Sequence, residues 1–308
     1  MKNFQHFILT RFNIPFIRES NIDFLFDDKY LSERFSIFLK YCYPSIVNQS
    51  NQNFLWLVFF DDRTPQKYKK INEGLAIKYP RYKPIYINFS DLLFDKNINN
   101  YYFNILNKSI YNLSYSETIT KVLLPNYITK YIGKYLSVDT EYIITTRIDN
   151  DDAFHKDMIK NVQNVYIDKQ QEKIISFDIG LQYVNATYIL QTYLYPNNHF
   201  LSYIEKKSTH LHTILYWDHF FIEKYKKVYH IKTIPLWLEI VHRTNVKNSL
   251  VISRNNKLIF TNSNLSSFGI DIKWSFCQTF FDIIFKPKVY IYLLIIKIVK
   301  RICVRKKG

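Results

Sequence analysis

Two unbroken apolar runs constrain this chain more than any other feature. Phe54-Leu-Trp-Leu-Val-Phe-Phe60 and Tyr142-Ile-Ile-Thr-Thr146 are too short for helices and do not alternate with polar residues. A half-exposed strand alternates, so a continuous run marks a strand covered on both faces, as in a parallel sheet between helix layers. His6-Phe-Ile-Leu-Thr10 reads as a first strand and Pro84–Phe89 as a third in the same style. Helical patterns stand between them. Leu31–Val47 is one, with Ser32 offering an N-cap and Pro44 kinking or ending it. Gln66–Tyr79 is a second. Thr118–Tyr135 is a third, with Ile119, Val122, Leu123 and Ile132 near helical spacing. Met158, Ile159, Val162, Val165 and Tyr166 form the face of a fourth. This alternation predicts an α/β fold with a mostly parallel sheet flanked by helices.

The second half changes character. Lys173–Asp178 and Gln182–Ile189 read as antiparallel strands or a hairpin, followed by a short helix at Leu215–Lys226 and the segment Thr233–Asn245. Residues 90–116 are rich in Asn and Tyr and poorly periodic, which reads as a long loop or insertion.

Composition closes off several classes. The 308 residues suit one large domain or two small ones, and 47% hydrophobic residues can bury a sizeable core. With 22% charged residues, neither a polytopic membrane protein nor a disordered chain fits. The five glycines, at 74, 133, 180, 269 and 308, are too scattered for a dinucleotide fingerprint, a P-loop or a nucleophile elbow. Cys42, Cys277 and Cys303 form neither a C-x-x-C pair nor a disulfide framework, which fits reduced thiols in a cytosolic compartment. The 26 Tyr and 25 Phe accompany heavy Ile, Lys and Asn usage and reflect coding bias as much as function. Met1–Pro15 has no long apolar h-region, and no 18-residue apolar stretch suggests a membrane span.

The chemistry gathers where the buried runs end. Phe54–Phe60 runs into Asp61-Asp62, and Tyr142–Thr146 runs into Arg147-Ile148-Asp149-Asn150-Asp151-Asp152. Ligands of open parallel sheets bind outside the carboxyl ends of the strands, so both acidic ends face one crevice. Three carboxylates within four residues repel one another, and burial raises their pKa further. A divalent cation removes that cost, and hard oxygen ligands suit Mg²⁺ or Mn²⁺ bridging to a substrate diphosphate. The competing reading is turn chemistry, with Asp152 as the N-cap of the next helix.

These same strings resemble a known family. His6-Phe-Ile-Leu-Thr-Arg-Phe-Asn13, Tyr41-Cys-Tyr-Pro-Ser-Ile-Val-Asn-Gln49, Phe54–Asp62 and Thr145-Thr-Arg-Ile-Asp-Asn-Asp-Asp-Ala153 are similar to the putative rhamnosyltransferases. These are glycosyltransferases of the GT-A fold, distantly similar to the family-2 enzymes. The likeness continues through Asn198–Glu205, Trp217-Asp-His219 and Pro235–Asn245, and spans roughly residues 5–248. It departs at Arg243, where the family has Gly after the late His, and at residues 90–116.

The resemblance implies a GT-A-like domain over residues 1–250 and an extension over 251–308. It implies a nucleotide-diphosphate sugar as donor, Mn²⁺ or Mg²⁺ as cofactor, and a glycan or lipid-linked glycan as acceptor in surface polysaccharide synthesis. Asp149, Asp151 and Asp152 are then the acids that hold the metal and donor ribose, and His242 is a late metal ligand. Asp61, beside Asp62, accepts from the N3–H of a thymine or uracil base, and Thr10 and Arg11 line the nucleotide pocket. Arg147 either forks the diphosphate or pairs with Asp149 or Asp151. Asp218 is the first candidate for the general base that deprotonates the acceptor, and Glu205 the second.

The net charge of +16 is uneven. Half of it comes from residues 286–308, which hold eight basic side chains and no acid. That tail reads as an interfacial helix on an anionic leaflet, placing a cytoplasmic protein at the inner face of the plasma membrane. A packed terminal helix with a solvated end is the alternative. The charge leaves no nucleic-acid footprint along a working face. A metal-dependent nuclease or phosphohydrolase using the same acids, and a non-catalytic basic module, are the competing functions.

Overall fold

The computed structural model describes residues 3–14, 23–88, 124–168 and, with short interruptions, 171–271. The 90–116 segment and the basic tail at 286–308 lie outside the described residues. The chain starts with β1 (Phe4–Arg11) and enters a helical rod made of α1 (Asp28–Ile37), one π turn (Phe38–Cys42) and α2 (Tyr43–Val47). Pro44 does not end this rod. Its missing N–H and its ring conflict with the carbonyl one turn back, and the widened π turn before it makes room. The rod also starts before Ser32, which sits inside α1 instead of capping it; Asp27 holds the N-terminal position.

The first half then follows the predicted alternation. It runs through β2 (Leu55–Asp61), α3 (Gln66–Lys78), β3 (Tyr82–Ile87), α4 (Leu124–Gly133) and β4 (Tyr142–Arg147). The chain continues through β5 (Ala153–Phe154), α5 (Met158–Asp168), β6 (Lys173–Phe177), β7 (Ile179–Val184) and β8 (Ile189–Leu194). It closes with β9 (Ser202–Lys206), β10 (Val228–Ile231), β11 (Trp237–Val241), β12 (Leu258–Ile259) and the short α6 (Ser263–Ser266).

Seven strands form the large sheet, in the order β10-β6-β9-β4-β1-β2-β3. All run parallel except β9, which opposes both β4 and β6. Trp56 through Phe60 on β2 are each 0% exposed, as the unbroken apolar run requires. Burying each of these side chains contributes about 1.5–3 kcal/mol. Along β1, Ile8 and Phe12 pack on the side of α1, α3 and α5, while Phe7 and Leu9 pack on the side of α4. No described helix is long and apolar enough to cross a membrane.

A second sheet, β12-β8-β7-β11-β5, was not anticipated. The expected pairing of Lys173–Asp178 with Gln182–Ile189 does not form. β6 joins the large sheet, and β7 pairs antiparallel with β8 and parallel with β11. The break falls at Asp178, which separates β6 from β7. The Trp237 indole lies directly on Gly180, where a Cβ would come within 2.1 Å of it. The expected helix at 215–226 is instead two single 3₁₀ turns, Ile214–Tyr216 and Ile222–Lys224. Leu265, Phe268 and Ile270 pack with Leu238 and Ile240 in the small sheet's core.

Two features position the site. Chain order reverses at β1, which lies between β2 and β4; this is the switch point where α/β sheets bind ligands. Residues 148–152 are also the crossing between sheets, since β4 belongs to the large one and β5 to the small one.

Candidate functional site

The acid bend follows β4 because the strand's apolar run stops at Arg147. Ile148 still points into the core, at 0% exposed, which throws the following side chains toward the seam between the sheets. Each acid there meets different partners. Asp149 is forked by Arg147, whose Nε and Nη2 donate to its Oδ1 at 3.2 and 3.1 Å. Asp151 Oδ2 accepts from Arg34 Nη1 at 3.2 Å and lies 2.9 Å from His242 Nε2. Asp152 Oδ1 accepts the Ile240 backbone N–H at 2.9 Å, and its Oδ2 lies 2.9 Å from His199 Nε2. Asp152 therefore does not cap α5, which starts at Met158.

The electrostatics separate the three. Burial raises the Asp149 pKa, but Arg147, then His199 and Arg11, outweigh it and hold this acid below its ordinary value. Burial likewise works against the charge on Asp151, and Arg34 and His242 overcome it. For Asp152 the Ile240 amide and the charge of Arg34 act in the same direction but do not prevail. Burial, then the charges of Asp151 and Asp149, push it well above the usual carboxylate range. Burial also lowers the pKa of His199, whose Nε2 lies 2.9 Å from Asp152 Oδ2.

Asp149, Asp152 and His199 each bring a ligand atom within 4.8 Å of the others. Two carboxylates and an imidazole suit Mn²⁺ or Mg²⁺. Of the four predicted ligands, Asp149 and Asp152 are in this cluster, while Asp151 and His242 pair with each other beside it. His199 was missed, although Asn198-His-Phe200 lies within the family-like string. Arg34 was missed as well; the one signal was a cation between Leu31 and Phe35, both buried in the face of α1.

The other predicted residues divide. Arg11 is brought in, since its charge acts on both Asp149 and His219. The His219 and His199 rings lie 5.9 Å apart, and burial, then Arg147 and His199, push His219 down to about 2. Asp61 ends β2 and is 1% exposed, with Arg63 donating to Oδ1 at 3.0 Å and Oδ2 at 2.9 Å. Arg63 in turn lies 4.2 Å over the Phe26 ring. Asp62 is more open, and burial, then Asp61, raises it. Thr10 does not line a pocket through its side chain. It is 0% exposed and its hydroxyl accepts the Trp56 Nε1–H at 3.0 Å inside the core.

Glu205 is far from the acids. It pairs across the sheet with Ile143, roughly 13 Å of strand before Arg147. Its two oxygens accept the backbone N–H groups of His212 and Thr213, both at 2.9 Å. Thr213 has φ 57°, a strained conformation for a β-branched residue, and Glu205 holds it there. Glu205 thus anchors a bend at some distance from the acid cluster. Asp218 lies outside the described residues.

A family model described as "Putative rhamnosyl transferase" matches residues 5–91 and 126–254, and the chain belongs to that family. No curated protein matches it. Among solved structures it is similar to residues 1–349 of TarS from S. aureus, with 10% identity and a TM-score of 0.38, covering 77% of this chain and 60% of that one. It is also similar to a "putative nucleotide-diphospho-sugar transferase" from Desulfovibrio desulfuricans G20, with 7% identity and a TM-score of 0.34, covering 77% and 82%. The inositol-1-phosphate CTP transferase of T. maritima shares 10% identity at a TM-score of 0.28, covering 78% and 91%. These likenesses are distant, and family membership rests on the sequence match alone.

Proposed function

We propose that this chain is a GT-A-like glycosyltransferase that moves a hexosyl group, rhamnosyl in the first instance, from a nucleotide diphosphate sugar to a glycan hydroxyl. The observation that carries this is the carboxylate–imidazole cluster of Asp149, Asp152 and His199, at the switch point of a mostly parallel sheet in a chain of this family. Those three residues would hold Mn²⁺ or Mg²⁺, which when bound supplies positive charge to a departing diphosphate.

The remaining residues orient and enclose. Arg34 and His242 fix Asp151 and keep the bend in one shape. Asp61 and Asp62, at the neighbouring strand end, mark the place for the base. Asp218 remains our candidate for the group that takes the acceptor proton. We assign residues 1–250 to the transferase unit and 251–308 to an extension. We also assign its basic tail to the inner face of the plasma membrane, where lipid-linked glycan acceptors and surface polysaccharide synthesis would be reached.

A thermal-shift panel of UDP, dTDP, GDP and CDP, with and without Mn²⁺, tests the reading. A ligand that binds only the folded state raises the midpoint by mass action. One nucleotide should raise it, and only with Mn²⁺ present. No shift with any nucleotide under either condition overturns the proposal.

A further inference from the structure

The three acids differ in how open they are. The Asp149 side chain is 32% exposed, against 9% for Asp151 and 0% for Asp152. The metal-ligand cluster therefore meets solvent on the Asp149 side. That side is closed by Arg147, the last residue of β4, whose Nη2 also reaches Asp149 Oδ2 at 3.1 Å. A guanidinium forked onto both oxygens competes with any cation for the same carboxylate. It also repels that cation, because like charges within a few ångströms disfavour each other. Arg147 and Arg11 both act by their charge on Asp149 and on His219, so the open side of the cluster is attended by two cations.

We propose that Arg147 is a placeholder cation. In the free protein it occupies Asp149. When a divalent cation and a diphosphate arrive together, it releases Asp149 and pairs with the phosphate oxygens. This inference rests on the proposed metal site and adds a coupling to it: cation and diphosphate each improve the binding of the other, by the same factor. The arrangement also keeps the acids neutralised while the site waits.

The test is Mn²⁺ binding to the full chain, followed by electron paramagnetic resonance of the free ion, with and without inorganic pyrophosphate. Pyrophosphate carries the diphosphate without committing to a base. Three proteins are compared: wild type, Arg147→Met and Arg147→Lys, each checked for folding by far-ultraviolet circular dichroism. Wild type should bind Mn²⁺ weakly alone and more tightly with pyrophosphate. Arg147→Met should bind Mn²⁺ alone about tenfold more tightly, since one charged hydrogen-bonded competitor is gone, and should lose most of the pyrophosphate enhancement.

Arg147→Lys keeps the charge but cannot fork a carboxylate. It should bind Mn²⁺ alone more tightly than wild type and keep part of the enhancement, so it carries the test if the Met variant does not fold. If a folded variant binds Mn²⁺ alone no more tightly than wild type, Arg147 is a fixed strut and the inference fails while the metal site stands. If no protein binds Mn²⁺ with or without pyrophosphate, the metal site itself fails and takes the inference with it.

Discussion

His242 Nε2 and Asp151 Oδ2 lie 2.9 Å apart, and Arg34 holds the same oxygen from the other side at 3.2 Å. Asp151 is therefore neutralised by the protein itself, although it is the central acid of the most recognisable string in the sequence. Its neighbours Asp149 and Asp152, with His199, form the cluster that could hold a metal ion.

This division can be measured. His199→Ala should weaken Mn²⁺ binding by tenfold or more, in the range seen when residues in or next to a metal's coordination shell are lost. His242→Ala should leave Mn²⁺ binding within a few-fold of wild type and lower thermal stability instead, because Asp151 loses a buried partner. Titration of both variants with Mn²⁺ checks the contrast, and equal losses in the two would contradict it.

Gly180 should tolerate no side chain. A Cβ there meets the Trp237 indole at 2.1 Å, and that ring is itself stacked on Phe200 with centroids 4.8 Å apart. We expect Gly180→Ala to destabilise the fold by about 1–3 kcal/mol or more, the usual range for overpacking a filled core. Urea unfolding gives the value directly.

Thr10→Val should cost about 1–3 kcal/mol by leaving the Trp56 indole N–H without its acceptor in the core. Because the Thr10 side chain is sealed from the crevice, nucleotide binding by the folded fraction should be unchanged. A selective loss of nucleotide affinity, at normal stability, would show that the residue does face the ligand.

Stability should fall as pH rises from about 4.5 to about 7. Burial pushes both Glu205 and Glu239 up to about 7, from an ordinary value of 4.5. Between those values the folded chain binds more protons than the unfolded one, so its advantage is complete at the acid end and drains away through the folded pKa. Glu239→Gln should flatten this slope, as seen in thermal midpoints across that range. A steeper slope in the variant would reverse the assignment.

Much of the fold was legible because burial leaves a plain trace. The runs at 54–60 and 142–146 read as buried throughout, and both are interior strands of the large sheet, β2 between two parallel neighbours and β4 between parallel β1 and antiparallel β9. The small sheet was less visible because its strands mix apolar residues with buried polar ones. Gln182, Gln191 and Glu239 are all at most 5% exposed and satisfy one another, through Gln182 Nε2 to Glu239 at 2.7 Å and Gln191 Nε2 to Gln182 at 2.9 Å. Periodicity scores such positions as solvent-facing, and only their pairing across strands makes them interior.

The site was half legible for a related reason. Acids at strand ends advertise themselves, so Asp149 and Asp152 stand out as candidates in the sequence. Which acid is already paired depends on residues more than 100 positions away in the chain, such as Arg34 to Asp151. Glu205 illustrates the converse. Its family-like neighbourhood suggested chemistry, but the register of β9 on β4 carries it to the wrong end of the sheet.

Asp152 joins the Ile240 amide of one sheet to His199, which leads into β9 of the other. A side chain with that double employment cannot be altered for its chemistry alone. Substitution here will loosen the seam between the two sheets as well as remove the carboxylate, and an inactive protein from this position is informative only alongside proof that both sheets are still folded.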